Sequence, residues 1–130
     1  MPRLARYRVV VADDSPDLRD LFCLLLDEED DFTVVGAASD GARAVQLATE
    51  LGPDLLVLDV NMPVMDGMEA LRRVKALHPH IRVVLLSALP RGVIPLDVIA
   101  LADDYLEKGL AVTTLVQRLR VICQRPMKGS

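Results

Sequence analysis

Short runs of β-branched and leucine residues alternate along this chain with longer stretches whose apolar residues recur every three to four positions. Few architectures tolerate that alternation. Parallel strands cannot be joined by tight hairpins and need helical crossovers, so the pattern predicts βαβ units built on a parallel sheet. Strands are expected at residues 8–13, 32–37, 54–59, 81–87 and 104–108. The first helix is expected from Pro16 to about Glu29, with Ser15 as N-cap and Leu18, Leu21, Phe22, Leu25 and Leu26 on one face. A second is expected at 41–51, stopped by Gly52-Pro53, a third at 67–77, and a last at 112–124.

With 130 residues, of which 52% are hydrophobic, the chain has the size and composition of a single domain (1–130, with a core at about 7–124 and a tail at 125–130). The apolar fraction is too high for disorder. The longest uninterrupted apolar run, Leu21 to Leu26, is far short of the roughly 20 residues of a membrane span. A formal charge of −4 and only four aromatic residues argue against nucleic-acid binding by charge or by base stacking. The N-terminal residues lack the apolar segment of a secretion signal, so the expected location is cytoplasmic. Cys23 and Cys123 have no metal-ligand partner at suitable spacing and read as small core hydrophobes; His78 and His80, flanking Pro79, read as loop histidines.

In open parallel sheets the working site lies beyond the C-terminal ends of the strands. Those ends carry Asp13-Asp14, Asp59, Ser87 and Lys108. Carboxylates within about 5 Å of one another repel by roughly 3 kcal/mol per pair at an effective dielectric near 20, so a cationic partner is required. Lys108 supplies one charge. The hard oxygen donors suit Mg²⁺ for the remainder. A carboxylate so placed can attack phosphorus and form an aspartyl phosphate, with metal, ammonium and hydroxyl neutralising the transition state.

The segments Val9-Val-Val-Ala-Asp13-Asp14-Ser15, Asp59-Val-Asn-Met-Pro63-Val-Met-Asp-Gly67, Leu85-Leu-Ser87-Ala88 and Asp103-Asp-Tyr105-Leu-Glu-Lys108 together resemble the receiver domain of bacterial two-component response regulators. The resemblance covers roughly residues 7–124. It implies a doubly wound, flavodoxin-like α/β fold, with five parallel strands in the order 2-1-3-4-5 and helices on both faces. It further implies that Asp59 is the phosphoacceptor, that Asp14, Asp59 and the backbone carbonyl of Asn61 hold Mg²⁺, and that Asp13 acts through a metal-bound water. Ser87 would donate to a phosphoryl oxygen, Lys108 would pair with the phosphoryl charge, and Tyr105 would be the aromatic whose rotamer reports activation. Pro63 and Gly67 would shape the loop after Asp59. The implied role is a phosphorylation-operated signalling switch, catalysing only its own phosphorylation and dephosphorylation. Its partners would be a sensor histidine kinase or phosphotransfer protein, with a second copy or a downstream effector reading the output.

Two other readings stand beside this one. A Mg²⁺-dependent phosphohydrolase with an Asp nucleophile would place a second Asp at 61, where this chain has Asn61. A phosphate-independent interaction module would keep the residues without using them. The chain also departs from the family pattern: Gly109 follows the lysine in place of proline, and Leu101 replaces the glycine that ends the fourth helix. Pro90, Gly92 and Pro95 predict a short or irregular fourth helix. Between Gly92 and Ala102 the only charge is Asp97, and Leu96 and Ile99, three apart, are expected to point outward as a candidate interface.

Overall fold

The computed structural model describes residues 6–126; residues 1–5 and 127–130, which include most of the expected tail, lie outside the described residues. Five strands, β1 (Tyr7–Ala12), β2 (Phe32–Ala38), β3 (Leu55–Asp59), β4 (Arg82–Ser87) and β5 (Asp104–Glu107), form one sheet in the order β2-β1-β3-β4-β5, with every pairing parallel. The expected order is the observed one. Helices α1 (Pro16–Asp27), α2 (Gly41–Leu51), α3 (Gly67–Leu77), α4 (Leu96–Leu101) and α5 (Val112–Gln124) make the crossovers.

The interiors of the middle strands, residues 9–12, 55–58 and 83–86, are apolar because both sheet faces are covered. All five residues of β3 are buried. One core layer joins Val10, Leu56, Leu58, Val83 and Leu85 to Leu47 of α2, Leu71 of α3 and Val98 of α4. The opposite layer joins Val9, Val57 and Val84 to Phe22 and Leu26 of α1 and to Leu119 and Ile122 of α5. Alternate residues of each strand therefore feed opposite layers, which fixes the register of every strand.

Local chemistry sets the helix ends. The Ser15 hydroxyl accepts from the Leu18 N–H, and Pro16 occupies the first turn. Asp40 and Asp66 cap α2 and α3 by accepting from the Arg43 and Glu69 N–H groups at 2.8 and 2.9 Å. Gly52, at φ 54°, closes α2 in the left-handed region that a side chain would disfavour. At the other end of the molecule Arg120 of α5 reaches Asp31 and Glu29, both at 2.6 Å, and ties that helix to the turn before β2.

Several expected boundaries move by one or two residues. Strands β1 and β5 stop at Ala12 and Glu107, leaving Asp13 and Lys108 just past the sheet, and α1 ends at Asp27. The fourth helix is short, as expected, with six residues and a 3-10 turn (Arg91–Val93) before it. The outward orientation of Leu96 and Ile99 as a pair is corrected. Leu96 is 86% exposed, but Ile99 packs against the core. Helical residues step by about 100°, so Ile99 lies about 100° from buried Val98 whereas Leu96 lies on the far side.

Cys123 is a buried core thiol, as expected, whereas Cys23 is half-buried and packs against the edge of the same layer. Burial pushes the Cys123 thiol up to about 12 and raises that of Cys23 as well, which makes them poor nucleophiles at neutral pH.

Candidate functional site

Five parallel strands present all their C-terminal ends at one edge, and the expected residues meet there. Asp13, Asp14 and Asp59 each offer a carboxylate oxygen, and these three atoms lie within 4.8 Å of one another. Asp13 and Asp59 are buried; Asp14 faces solvent. Lys108 bridges the two buried carboxylates, with its Nζ 3.2 Å from Asp13 Oδ2 and 3.0 Å from Asp59 Oδ2. Charge that the sequence placed at separate strand ends is therefore concentrated in one pocket, with a single ammonium shared between two acids.

Backbone groups hold these side chains in place. Asp13 Oδ1 accepts from the Ser15 N–H at 2.9 Å, so the residue that caps α1 also fixes the acid. Asp59 Oδ1 accepts from the Asn61 N–H at 3.3 Å. Gly67, the first residue of α3, lies directly against the Asp59 backbone and donates its N–H to the Val60 carbonyl at 2.9 Å. Arg19 supports the pocket from α1 by donating to the Asp13 carbonyl at 2.9 Å; only the fold reveals this contact.

Ser87 is fully buried at the end of β4, and its hydroxyl oxygen accepts from the Leu89 N–H at 2.9 Å. The Tyr105 hydroxyl donates to the Leu89 carbonyl at 2.7 Å. Leu89 thus joins the serine to the tyrosine through its two backbone groups, a role no sequence signal reveals. Lys108 is tied to the same strand, since its N–H donates to the Ser87 carbonyl at 2.9 Å.

The electrostatics reflect the excess of acids. Burial, with the nearby Asp13 charge, pushes the Asp59 carboxyl up to about 6 although Lys108 pulls the other way. Burial alone would lower Lys108, but its bonds to Asp59 and Asp13 outweigh that and raise it. The ammonium stays charged while the two acids compete for it. This pocket fits a small hard cation, which adds positive charge and accepts oxygen ligands.

A pH dependence follows from the Asp59 shift. In the folded state Asp59 takes up a proton near pH 6, whereas in the unfolded chain it waits until near the ordinary aspartate value of 3.8. Between those values the folded state binds more protons, so metal-free protein gains stability as pH falls from 7 toward 5. The expected gain is about 1–3 kcal/mol. Thermal melts in chelator should show it, and Asp59→Asn should flatten the slope. An equally steep slope in the variant would place the titrating group elsewhere.

A family model described as the response regulator receiver domain matches residues 9–120. A protein-glutamate methylesterase/protein-glutamine glutaminase of Trichodesmium erythraeum is 32% identical, with 94% of this chain and 39% of that protein covered. The response regulator GacA of Pseudomonas viridiflava is 34% identical, with 88% of this chain and 54% of that protein covered. The chain therefore spans about one third to one half of the curated relatives described. In solved structures, the response regulator domain of Thermotoga maritima CheB superimposes with a TM-score of 0.85 at 30% identity, covering 93% of this chain and 98% of that one. Strand order, the acidic pocket bridged by lysine and a family match over most of the length agree, and the chain belongs to the response regulator receiver domain family.

Proposed function

We propose that this chain is a phosphorylation-operated switch that accepts a phosphoryl group on Asp59 from the phosphohistidine of a sensor kinase or phosphotransfer protein. The observation that carries this reading is the meeting of three carboxylates within 4.8 Å, with Lys108 across the two buried ones. Asp14, Asp59 and the Asn61 carbonyl are the groups that would hold Mg²⁺, with Asp13 acting through water. When bound, the ion supplies charge neutralisation at the phosphoryl oxygens.

The chain's own residues account for the remaining chemistry. An Asp59 carboxylate oxygen forms the bond to phosphorus as the P–N bond of the donor breaks, and the bonding pair leaves with the imidazole. Metal-free burial disfavours the ionised nucleophile, so added positive charge in the pocket restores it. The Lys108 ammonium, already 3.0 Å from Asp59, is in reach of the new phosphoryl oxygens. Ser87 uses its oxygen as an acceptor for Leu89, which leaves the O–H proton to donate to the phosphoryl group. Drawing Ser87 toward that group pulls on Leu89, and Leu89 is bonded to Tyr105; that chain of contacts supports the switch reading.

The chain works on this reading as one receiver unit in the cytoplasm, and among the described residues no helix is long and apolar enough to cross a membrane. Its catalysis is confined to its own phosphorylation and dephosphorylation. Acetyl phosphate with Mg²⁺ should add one phosphoryl group by intact-mass measurement, and Asp59→Asn should abolish the gain. Equal labelling of the variant at the same rate would overturn the assignment.

A further inference from the structure

Gly41 opens α2, well away in sequence from the acidic pocket, and it is buried against the loop that follows β3. Its N–H donates to the Met65 carbonyl at 2.9 Å. A Cβ on this residue would overlap that carbonyl oxygen and come within 2.8 Å of the carbonyl carbon, both backbone atoms that cannot rotate aside. The loop it touches is itself tightly wound. The Met65 N–H donates to the Pro63 carbonyl at 2.7 Å, and Val64 between them sits at φ 67°. This is a γ-turn of positive φ, strained for any side chain and most of all for a β-branched one. Val64 is 85% exposed, so burial of its side chain does not offset the strain.

The strained turn is held from both sides. Upstream, Asn61 is fixed by its N–H to Asp59; downstream, Gly67 is fixed against the Asp59 backbone. Between these points, the Met65 carbonyl is gripped by Gly41 of a different helix. We propose that Gly41 is a positioning residue for the Asp59 pocket: through the Met65 carbonyl it holds the Val64 turn closed and so sets where the Asn61 peptide stands relative to the carboxylates. This inference rests on the reading of the pocket as a Mg²⁺ and phosphoryl site, and it adds the start of α2 as an element that controls it. Displacements of about 1 Å in a supporting segment are enough to lower affinity and rate substantially.

The test uses Mg²⁺ itself as the probe. Gly41→Ala should weaken Mg²⁺ binding about tenfold in titrations of folded protein. Leu47→Ala, which loosens α2 from its core side where the leucine packs toward Gly36 of β2, should leave Mg²⁺ affinity unchanged even at an equal loss of melting temperature. In unaltered protein, reciprocity requires saturating Mg²⁺ to slow exchange of the Gly41 amide hydrogen relative to that of Ala44 on the same helix. That measurement decides the matter even if Gly41→Ala does not fold. Unchanged affinity in Gly41→Ala, an equal loss in Leu47→Ala, or a Gly41 amide indifferent to Mg²⁺ would each overturn the inference while leaving the pocket reading intact. A failure of unaltered protein to bind Mg²⁺ would overturn both.

Discussion

Gly67→Ala is expected to cost about 3 kcal/mol or more in stability and to abolish phosphoryl uptake. A Cβ at this position would overlap the Asp59 carbonyl oxygen and lie 2.9 Å from the carbonyl carbon and 3.0 Å from Val60 Cα. Overpacking in a tight interior usually costs about 1–3 kcal/mol because side chains can partly yield, but here every opposing atom is backbone. Either β3 or the start of α3 must move. A shift of β3 displaces Asp59 from the Asp13 and Asp14 carboxylates and from the Asn61 peptide, the groups that would hold Mg²⁺; a shift of α3 breaks the Gly67 N–H bond to Val60. Urea melts and intact-mass phosphorylation assays together check the result. A variant that melts like the native protein and still takes up phosphate would show that the close approach is relaxed in solution.

Lys108→Ala is the second large effect, and its two readouts separate. Without the ammonium, the Asp13 and Asp59 carboxylates face each other with no counter-ion, at side-chain exposures of 7% and 4%. Removing one partner from a buried pair costs about 3–5 kcal/mol, and the partial exposure of Lys108, 25%, reduces that to about 2 kcal/mol here. The loss should be largest at pH 7–8 and should shrink toward pH 5 as Asp59 takes up its proton. The lysine's own raised pKa keeps its contribution present throughout that range, to be lost only above its ordinary value of 10.5. Mg²⁺ should restore part of the stability. Phosphoryl uptake should persist, but beryllofluoride with Mg²⁺ should no longer shift the backbone amides near Ser87 and Tyr105. A full shift at both loops would show that Ser87 and Leu89 carry the coupling unaided.

Much of this was legible in the chain. Apolar runs such as Leu55-Leu-Val-Leu, too short for a helix and preceded by Gly52-Pro53, read as strands covered on both faces, and the 3.6-residue spacing of α2 and α3 gave their bounds to the residue because caps and breakers flank them, while α5, whose N-cap Ala111 makes no side-chain bond, was legible from its spacing alone. The fourth helix was less legible. Its prolines announced a short element, but which face of six residues is buried depends on where Val98 meets the sheet layer, and Ile99 followed Val98 inward.

The sequence by itself determined the chemistry available at the sheet edge: strand periodicity puts Asp13, Asp59, Ser87 and Lys108 at C-terminal ends, and parallel pairing brings those ends to one side. Only the tertiary structure decided how that chemistry is shared. Lys108 bridges Asp13 and Asp59, Leu89 links Ser87 to Tyr105, and Gly41 holds the turn beside the pocket through Met65. The physical reason is that the first set follows from local periodicity, which each segment carries in its own residues. The second set consists of contacts between loops distant in sequence, whose ångström-scale distances are fixed by how the helices pack on the sheet and by backbone groups that are the same in every residue.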